Sequence, residues 1–496
     1  MLPSTDLTPI PSVAPAPRAW LERLWSTIAD RGRPYAKVPE ASAPPLDRAK
    51  RLAEALLSER GEASGAAIAR ELHAALPSLG PADRTAFYRF LADRFGPGVD
   101  ALRAAAEAYL VDATQEQAVR LAAAAEPPRQ ELLRRMNMVP GGTAALVRMR
   151  EELLGLLRAE PGLRVLDADL RHLFASWFNR GFLELRRIDW QTPAAVLEKL
   201  IAYEAVHEIQ GWEDLRRRLA ADRRCFGFFH PALPGEPLIF VEVALVQGLA
   251  AAVQPLLSRD DPPGDPARAD TAIFYSISNC QEGLRGSSFG NFLIKQVVEE
   301  LKAELPQLAR FSTLSPVPGF RRWLERRLDA SGADAAADAA VFREDEAGRL
   351  TAAAGDTVAG ATDAFRSLAE DGAWWRDTAR AGVLREPLLR LCAKYLTRPN
   401  KGVGGIDPVA RFHLGNGARL ERINWLGNTA PRGIKESFGV MVNYLYDPEA
   451  IEANHEAFVH SGAVARSAQV DALLSLPALL PEAPPAKRRL PRIRAG

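Results

Sequence analysis

From about residue 47 to 160, apolar residues recur every three and four positions. In AKRLAEALLSER, Leu52, Ala55 and Leu56 lie on one stripe, the spacing of a helix with a single buried face. RTAFYRFLADRF, ALRAAAEAYLVDATQEQAVRLAAAA and TAALVRMREELLGLLRA repeat the pattern, in residues that favour helix. LPSLGPADR and MVPGG break it. The stretch predicts an all-α bundle of six to eight helices. After about Val165 the pattern changes. CFGFFH (225–230), PLIFVEVALV (237–246), TAIFYSIS (271–278), RFSTL (310–314), VARFHL (409–414), RLERINW (419–425) and FGVMVNYLY (438–446) read as strands, with helices over 289–304 and 318–329. An Ala/Asp-rich insertion over 331–348 reads as a partly helical surface segment. The expected architecture is α+β: a Pro-rich disordered segment over 1–17, a helical domain over 18–165, a mixed α/β domain over 166–475, and a basic flexible tail over 476–496.

Composition narrows the function classes. Lys+Arg total 63 against 62 for Asp+Glu, so no global basic field points to nucleic acid or a membrane surface. Three dispersed cysteines fit reduced, intracellular thiols, and the seven scattered histidines form no metal-ligand spacing. With no apolar run of 18 and no leader pattern at the start, the expectation is a cytoplasmic protein without a metal site.

Three segments carry candidate chemistry. In QEGLRGSSFGNF (281–292), Gly283, Gly286 and Gly290 follow a strand and open a helix, whose free N–H groups suit an anion. The spacing matches neither a P-loop nor a dinucleotide fingerprint; it fits a pyrophosphate cradle for coenzyme A or an ordinary strand-to-helix loop. FSTLSPVPGF (311–320) presents Ser315 on a proline-stiffened turn, as a functional hydroxyl or a helix cap. DPVARFHLGNGARLERINW (407–425) reads as a hairpin with His413 in its first strand, either structural or an acid–base group titrating near neutrality.

Taken in order, FYSIS…GLRGSSFGNFLIKQVVEEL, FSTLSPVPGFRRWL, DPVARFHLGNGARLERINW and FGVMVNYLY resemble malonyl-CoA decarboxylases, as do YEAVHEIQGWEDLRRRL and RRCFGFFHPALPGEPLIFVEVALV. The resemblance runs from about 170 to 460. It implies an N-acetyltransferase-like (GNAT) catalytic domain behind a helical domain. It also implies conversion of malonyl-CoA to acetyl-CoA and CO2 with no cofactor beyond the substrate's own coenzyme A, in a homo-oligomer, tetramer or dimer. By motif it makes Ser315 the residue that orients the malonyl group and His413 the proton donor. Ser276 and Tyr446 line the malonyl group, and Arg285, Gly286, Ser287, Ser288, Phe289, Gly290 and Asn291 form the coenzyme A turn. One departure stands out: the resemblance implies an acidic residue where this chain has Ser288, with Glu282 as a candidate substitute. Two other readings are a coenzyme A-dependent acyltransferase on the same fold and a non-catalytic malonyl-CoA sensor.

Overall fold

The computed structural model describes residues 17–36, 38–39, 42–59, 61–286, 290–329, 341–355, 358–398 and 407–475. The Pro-rich start up to 16, most of the 331–348 insertion, the basic tail, and Ser287, Ser288 and Phe289 of the glycine-rich turn lie outside them. The chain divides into two compact units. The first comprises 1–219, 224–242 and 276–299; the second comprises 220–223, 243–275 and 300–496.

In the first unit nine α-helices are described between Pro17 and Trp177. Seven of them, from Pro45–Ser58 to Gly142–Leu156, occupy the stretch with the three-and-four apolar spacing. Leu52, Leu56, Ile68, Leu72, Phe87, Leu91, Leu132, Leu146 and Leu153 from those stripes are buried. The helices Val99–Val111 and Gln115–Ala125 differ: neither contains a buried residue, and Leu110, Val111 and Val119 are exposed. Strand β1 (Glu184–Ile188) pairs antiparallel with β2 (Arg223–Phe229). Ile188, Leu197, Leu200, Leu215, Cys225 and Phe240 form this part's core.

In the second unit, β4 (Thr271–Asn279) pairs parallel with β5 (Arg310–Thr313), through Thr271↔Arg310 to Phe274↔Thr313. A parallel pair needs a crossover, here the helix Gly290–Glu304. β8 (Met441–Leu445) pairs antiparallel with β5, with β6 (Ser315–Pro316) and with β7 (Arg419–Asn424). β3 (Pro237–Val246), like β4, gives residues to both units. Ala244, Ile273, Tyr275, Leu314 and Met441 close the second core.

The helical first part, the mixed sheet and six of the seven predicted strands match the sequence reading. The seventh does not. VARFHL is not a strand; Pro408–Gly415 is an α-helix. Asp407 caps it, accepting from the N–H groups of Val409 (3.0 Å) and Ala410 (3.4 Å), and Pro408 occupies its first turn, where a missing N–H costs nothing. The Asp-Pro start outweighed the β-favouring residues inside. The helix stops where Gly417 takes φ +81, and a Cβ there would come within 2.0 Å of the Ile451 carbonyl oxygen. Among the described residues no helix is long and apolar enough to cross a membrane.

Candidate active site

Thr313 and Ser315 stand two residues apart where the chain passes from β5 to β6, so both side chains face the same way. β8 pairs with both strands, at Ser312↔Leu445 and Ser315↔Val442, and carries Tyr446 just past its end. The Pro408–Gly415 helix brings the His413 ring to the same place. Asp407 ties the two loops together: besides capping that helix, it accepts the Gly319 N–H at 3.0 Å and the Tyr395 hydroxyl at 3.3 Å. Burial raises the Asp407 carboxyl's pKa, opposed by its backbone hydrogen bonds. Sequence reasoning overlooked Asp407, although the Asp-Pro pair was the signal for it.

Ser315, His413 and Tyr446 come together. Ser315 Oγ donates to Thr313 Oγ1 at 2.9 Å and lies 3.1 Å from His413 Nε2; His413 Nδ1 lies 2.8 Å from the Tyr446 hydroxyl. The imidazole stacks on Tyr444, centroids 4.8 Å apart at 24°. His413 is 3% exposed, and burial lowers its pKa to about 3. In the unliganded protein the ring therefore lies outside the ordinary imidazole range that made His413 a candidate: it is neutral at pH 7, because burial strips water from an imidazolium and no opposing charge among the described residues offsets this.

A neutral ring has one N–H, and its neighbours decide where. Ser315 spends its proton on Thr313 and so accepts at Oγ, which places the His413 hydrogen on Nε2. Nδ1 is then bare and accepts from Tyr446. The donors run in one direction, Tyr446 to His413 to Ser315 to Thr313. Burial also pushes the Tyr446 phenol well above its ordinary pKa, opposed by the neighbouring Asn416 carboxamide. Asn416 is itself 3% exposed, yet neither its Nδ2 nor its Oδ1 completes a hydrogen bond. Leaving such a group unsatisfied typically costs about 1–3 kcal/mol. Sequence reasoning missed both Thr313 and Asn416; Thr313 was legible from its two-residue offset, Asn416 was not.

Ser276 belongs to another cluster, in the first unit. Its hydroxyl donates to Glu204 at 2.7 and 2.8 Å, and Ser278 donates to the same carboxylate at 3.1 Å. The N–H groups of Val206 and His207 complete the cage, each at 2.8 Å. Nearby Glu242 is fully buried; burial raises its pKa to about 8, with Arg218 pulling it down and Glu204 adding to the rise.

Of the glycine-rich turn, Arg285 and Gly286 are described, Gly286 at φ +82, and Gly290 and Asn291 begin the helix. The Arg285 side chain pairs with Glu282, both exposed. The turn is held from the helical region. Buried Arg150 donates to the carbonyls of Gly283 (2.8 Å) and Arg285 (2.9 Å), and its Nε bonds Asp167 at 2.8 Å. Gly283 lies so close to the Gly142–Leu156 helix that a Cβ would come within 2.0 Å of the Val147 carbonyl oxygen. Arg150 lies in no motif, so this anchor was not legible before the fold was known.

Models of the malonyl-CoA decarboxylase C-terminal and N-terminal domains match residues 181–482 and 95–178. The chain belongs to the malonyl-CoA decarboxylase family. The mitochondrial malonyl-CoA decarboxylase of Anser anser anser is 38% identical over 355 residues, 70% of each chain. Crystal structures of malonyl-CoA decarboxylases agree. That from Rhodopseudomonas palustris is 49% identical with a TM-score of 0.78, covering 87% of this chain and all of its own. That from Agrobacterium vitis is 49% identical with a TM-score of 0.77, covering 86% of this chain and all of its own. The family identifies a carbon–carbon lyase, in agreement with the resemblance of the sequence segments.

Proposed function

We propose that the chain converts malonyl-CoA to acetyl-CoA and CO2 at the Ser315–His413–Tyr446 chain. The observation that carries this is the buried run of contacts from Tyr446 through a neutral His413 to Ser315 and Thr313. Loss of CO2 sends the C–C electron pair into the thioester, leaving an enolate whose carbon is a far stronger base than any side chain. A neutral imidazole N–H backed by a phenol therefore suffices as proton source, and a buried cation is not needed. To hold the malonyl group so that the breaking bond stands perpendicular to the thioester plane, Ser315 turns its proton from Thr313 to the substrate when the substrate binds. Neutral donors also suit the step energetically. A fixed cation would grip the starting carboxylate and stabilise the ground state, which slows the reaction.

The turn from Arg285 to Asn291, braced by Arg150, is assigned to coenzyme A, with Arg285, Gly286, Ser287, Ser288, Phe289, Gly290 and Asn291 in the roles that the resemblance gives them. Ser276 enters differently from the resemblance. Its one proton goes to Glu204, so it offers a ligand lone pairs only. A GNAT-type catalytic domain, a cytoplasmic location and a homo-oligomer, tetramer or dimer, belong to the same proposal. The first is supported by the parallel β4–β5 pair with its crossover helix, the last by the uncovered Val99–Val111 and Gln115–Ala125 hairpin.

The test is incubation with malonyl-CoA alone, following acetyl-CoA and CO2. Turnover without an added acceptor is expected. Turnover only with an amine acceptor would make the chain an acyltransferase, and tight binding without products would make it a sensor.

A further inference from the structure

Asn416 forms the last turn beneath His413. Its backbone N–H is committed to the carbonyls of Phe412 and His413, both at 3.1 Å, so the main chain fixes where the side chain starts. The carboxamide is buried beside Tyr446, close enough to pull the phenol's pKa down, yet neither polar atom meets hydrogen-bond geometry with a described partner. Buried polar atoms almost always find partners, and an exception next to reacting groups points to a ligand that completes it. This step rests on the site reading above.

We infer that Asn416 is the oxyanion donor of the reaction, its Nδ2–H bonding the thioester oxygen of the malonyl group. The chemistry of that oxygen selects an amide. Before the step the oxygen is a neutral carbonyl and a weak acceptor. As the bond from the α-carbon to the carboxylate breaks, its electron pair forms the enolate double bond and the carbonyl π pair moves onto the oxygen. CO2 departs, and His413 delivers one proton to the α-carbon, replaced from solvent. The donor's bond strengthens as charge arrives, so its effect falls on the transition state and not on substrate binding. A neutral carboxamide also leaves the departing carboxylate unheld.

The decisive variant is Asn416→Leu, which keeps the volume and removes both polar atoms. With malonyl-CoA, kcat is expected to fall ~100–1,000-fold, the usual effect of deleting one such donor, with KM within about threefold of the parent. The melting temperature is expected to hold or rise, since two orphaned atoms are gone. Exchange of the acetyl-CoA methyl hydrogens in D2O, which passes through the same enolate without any carboxylate, is expected to fall in proportion. Asn416→Ala, which also lacks the donor and crowds nothing, is expected to show the same loss, and stands in should the leucine variant not fold. A kcat within about threefold of the parent would overturn the inference. So would a loss that disappears in a Tyr446→Phe background, because Asn416 would then act only through the phenol. His413→Ala run in parallel separates the two readings: if it stays active the site reading fails, whereas an inactive His413→Ala beside an active Asn416→Leu removes the oxyanion donor alone.

Discussion

Two buried serines, both assigned to the malonyl group by resemblance, sit in opposite environments. Ser315 is joined to neutral partners, Thr313 and a neutral His413, so no fixed charge holds the protons of its chain, and one that His413 gives to the substrate can be replaced along the bond from Tyr446. Ser276 is joined to Glu204, which also takes Ser278 and two backbone N–H groups. The first arrangement can pass a proton on; the second fixes it. Residue type did not distinguish the two serines. What distinguishes them is whether the hydrogen-bond chain ends on a carboxylate.

The largest expected effect breaks the neutral chain at its centre. His413→Ala removes the N–H that serves the α-carbon, and kcat is expected to fall ~100- to 10,000-fold with KM little changed, read from steady-state kinetics. Tyr446→Phe keeps the imidazole but removes the donor at Nδ1, and a smaller loss is expected. Near-parent kcat in both variants would erase the contrast with the Ser276 cluster.

Next in size is the coenzyme A turn. Arg150→Met keeps much of the buried volume but frees two carbonyls and leaves Asp167 alone. The KM for malonyl-CoA is expected to rise on the order of tenfold while kcat changes less. A fall in kcat with KM unchanged would show that Arg150 serves the acyl chemistry and not the turn. Ser276→Ala is expected to lower the melting temperature and to cut kcat less than about tenfold, since Glu204 keeps three other donors. A loss as deep as that of His413→Ala would mean that the carboxylate-bound serine also takes part in the chemistry.

The α+β class, six strands and the crossover from β4 to β5 were legible because periodicity and β-branched runs report burial directly. The His413 helix was not, because eight residues are too few to show a helical period and the β-favouring Val409 and Phe412 lie among them. Its boundaries were written in Asp407, Pro408 and Gly417, which speak for caps and not for strands. Ser315, His413 and Tyr446 reached the candidate site through motif resemblance. Asn416 and Arg150 did not, since one shows itself only by lacking partners and the other only by bracing a turn 133 residues away in sequence.

The smallest expected effect concerns stability and tests the neutral histidine directly. Burial holds folded His413 at about 3, against about 6.5 in an unfolded chain. Between those values the unfolded chain takes up a proton that the folded one refuses, so stability falls as pH drops from about 6.5 toward 3. Between pH 7 and 5 the cost from this one residue is on the order of 2 kcal/mol. His413→Asn removes that titration. Denaturant unfolding at the two pH values is therefore expected to show the parent losing more stability than the variant. Equal losses would mean that the folded imidazole is protonated as readily as a free one, and that the buried serine of the second unit sits beside a cation after all. The proton chain would then no longer be neutral, and its contrast with the carboxylate-bound Ser276 would narrow to one of sign.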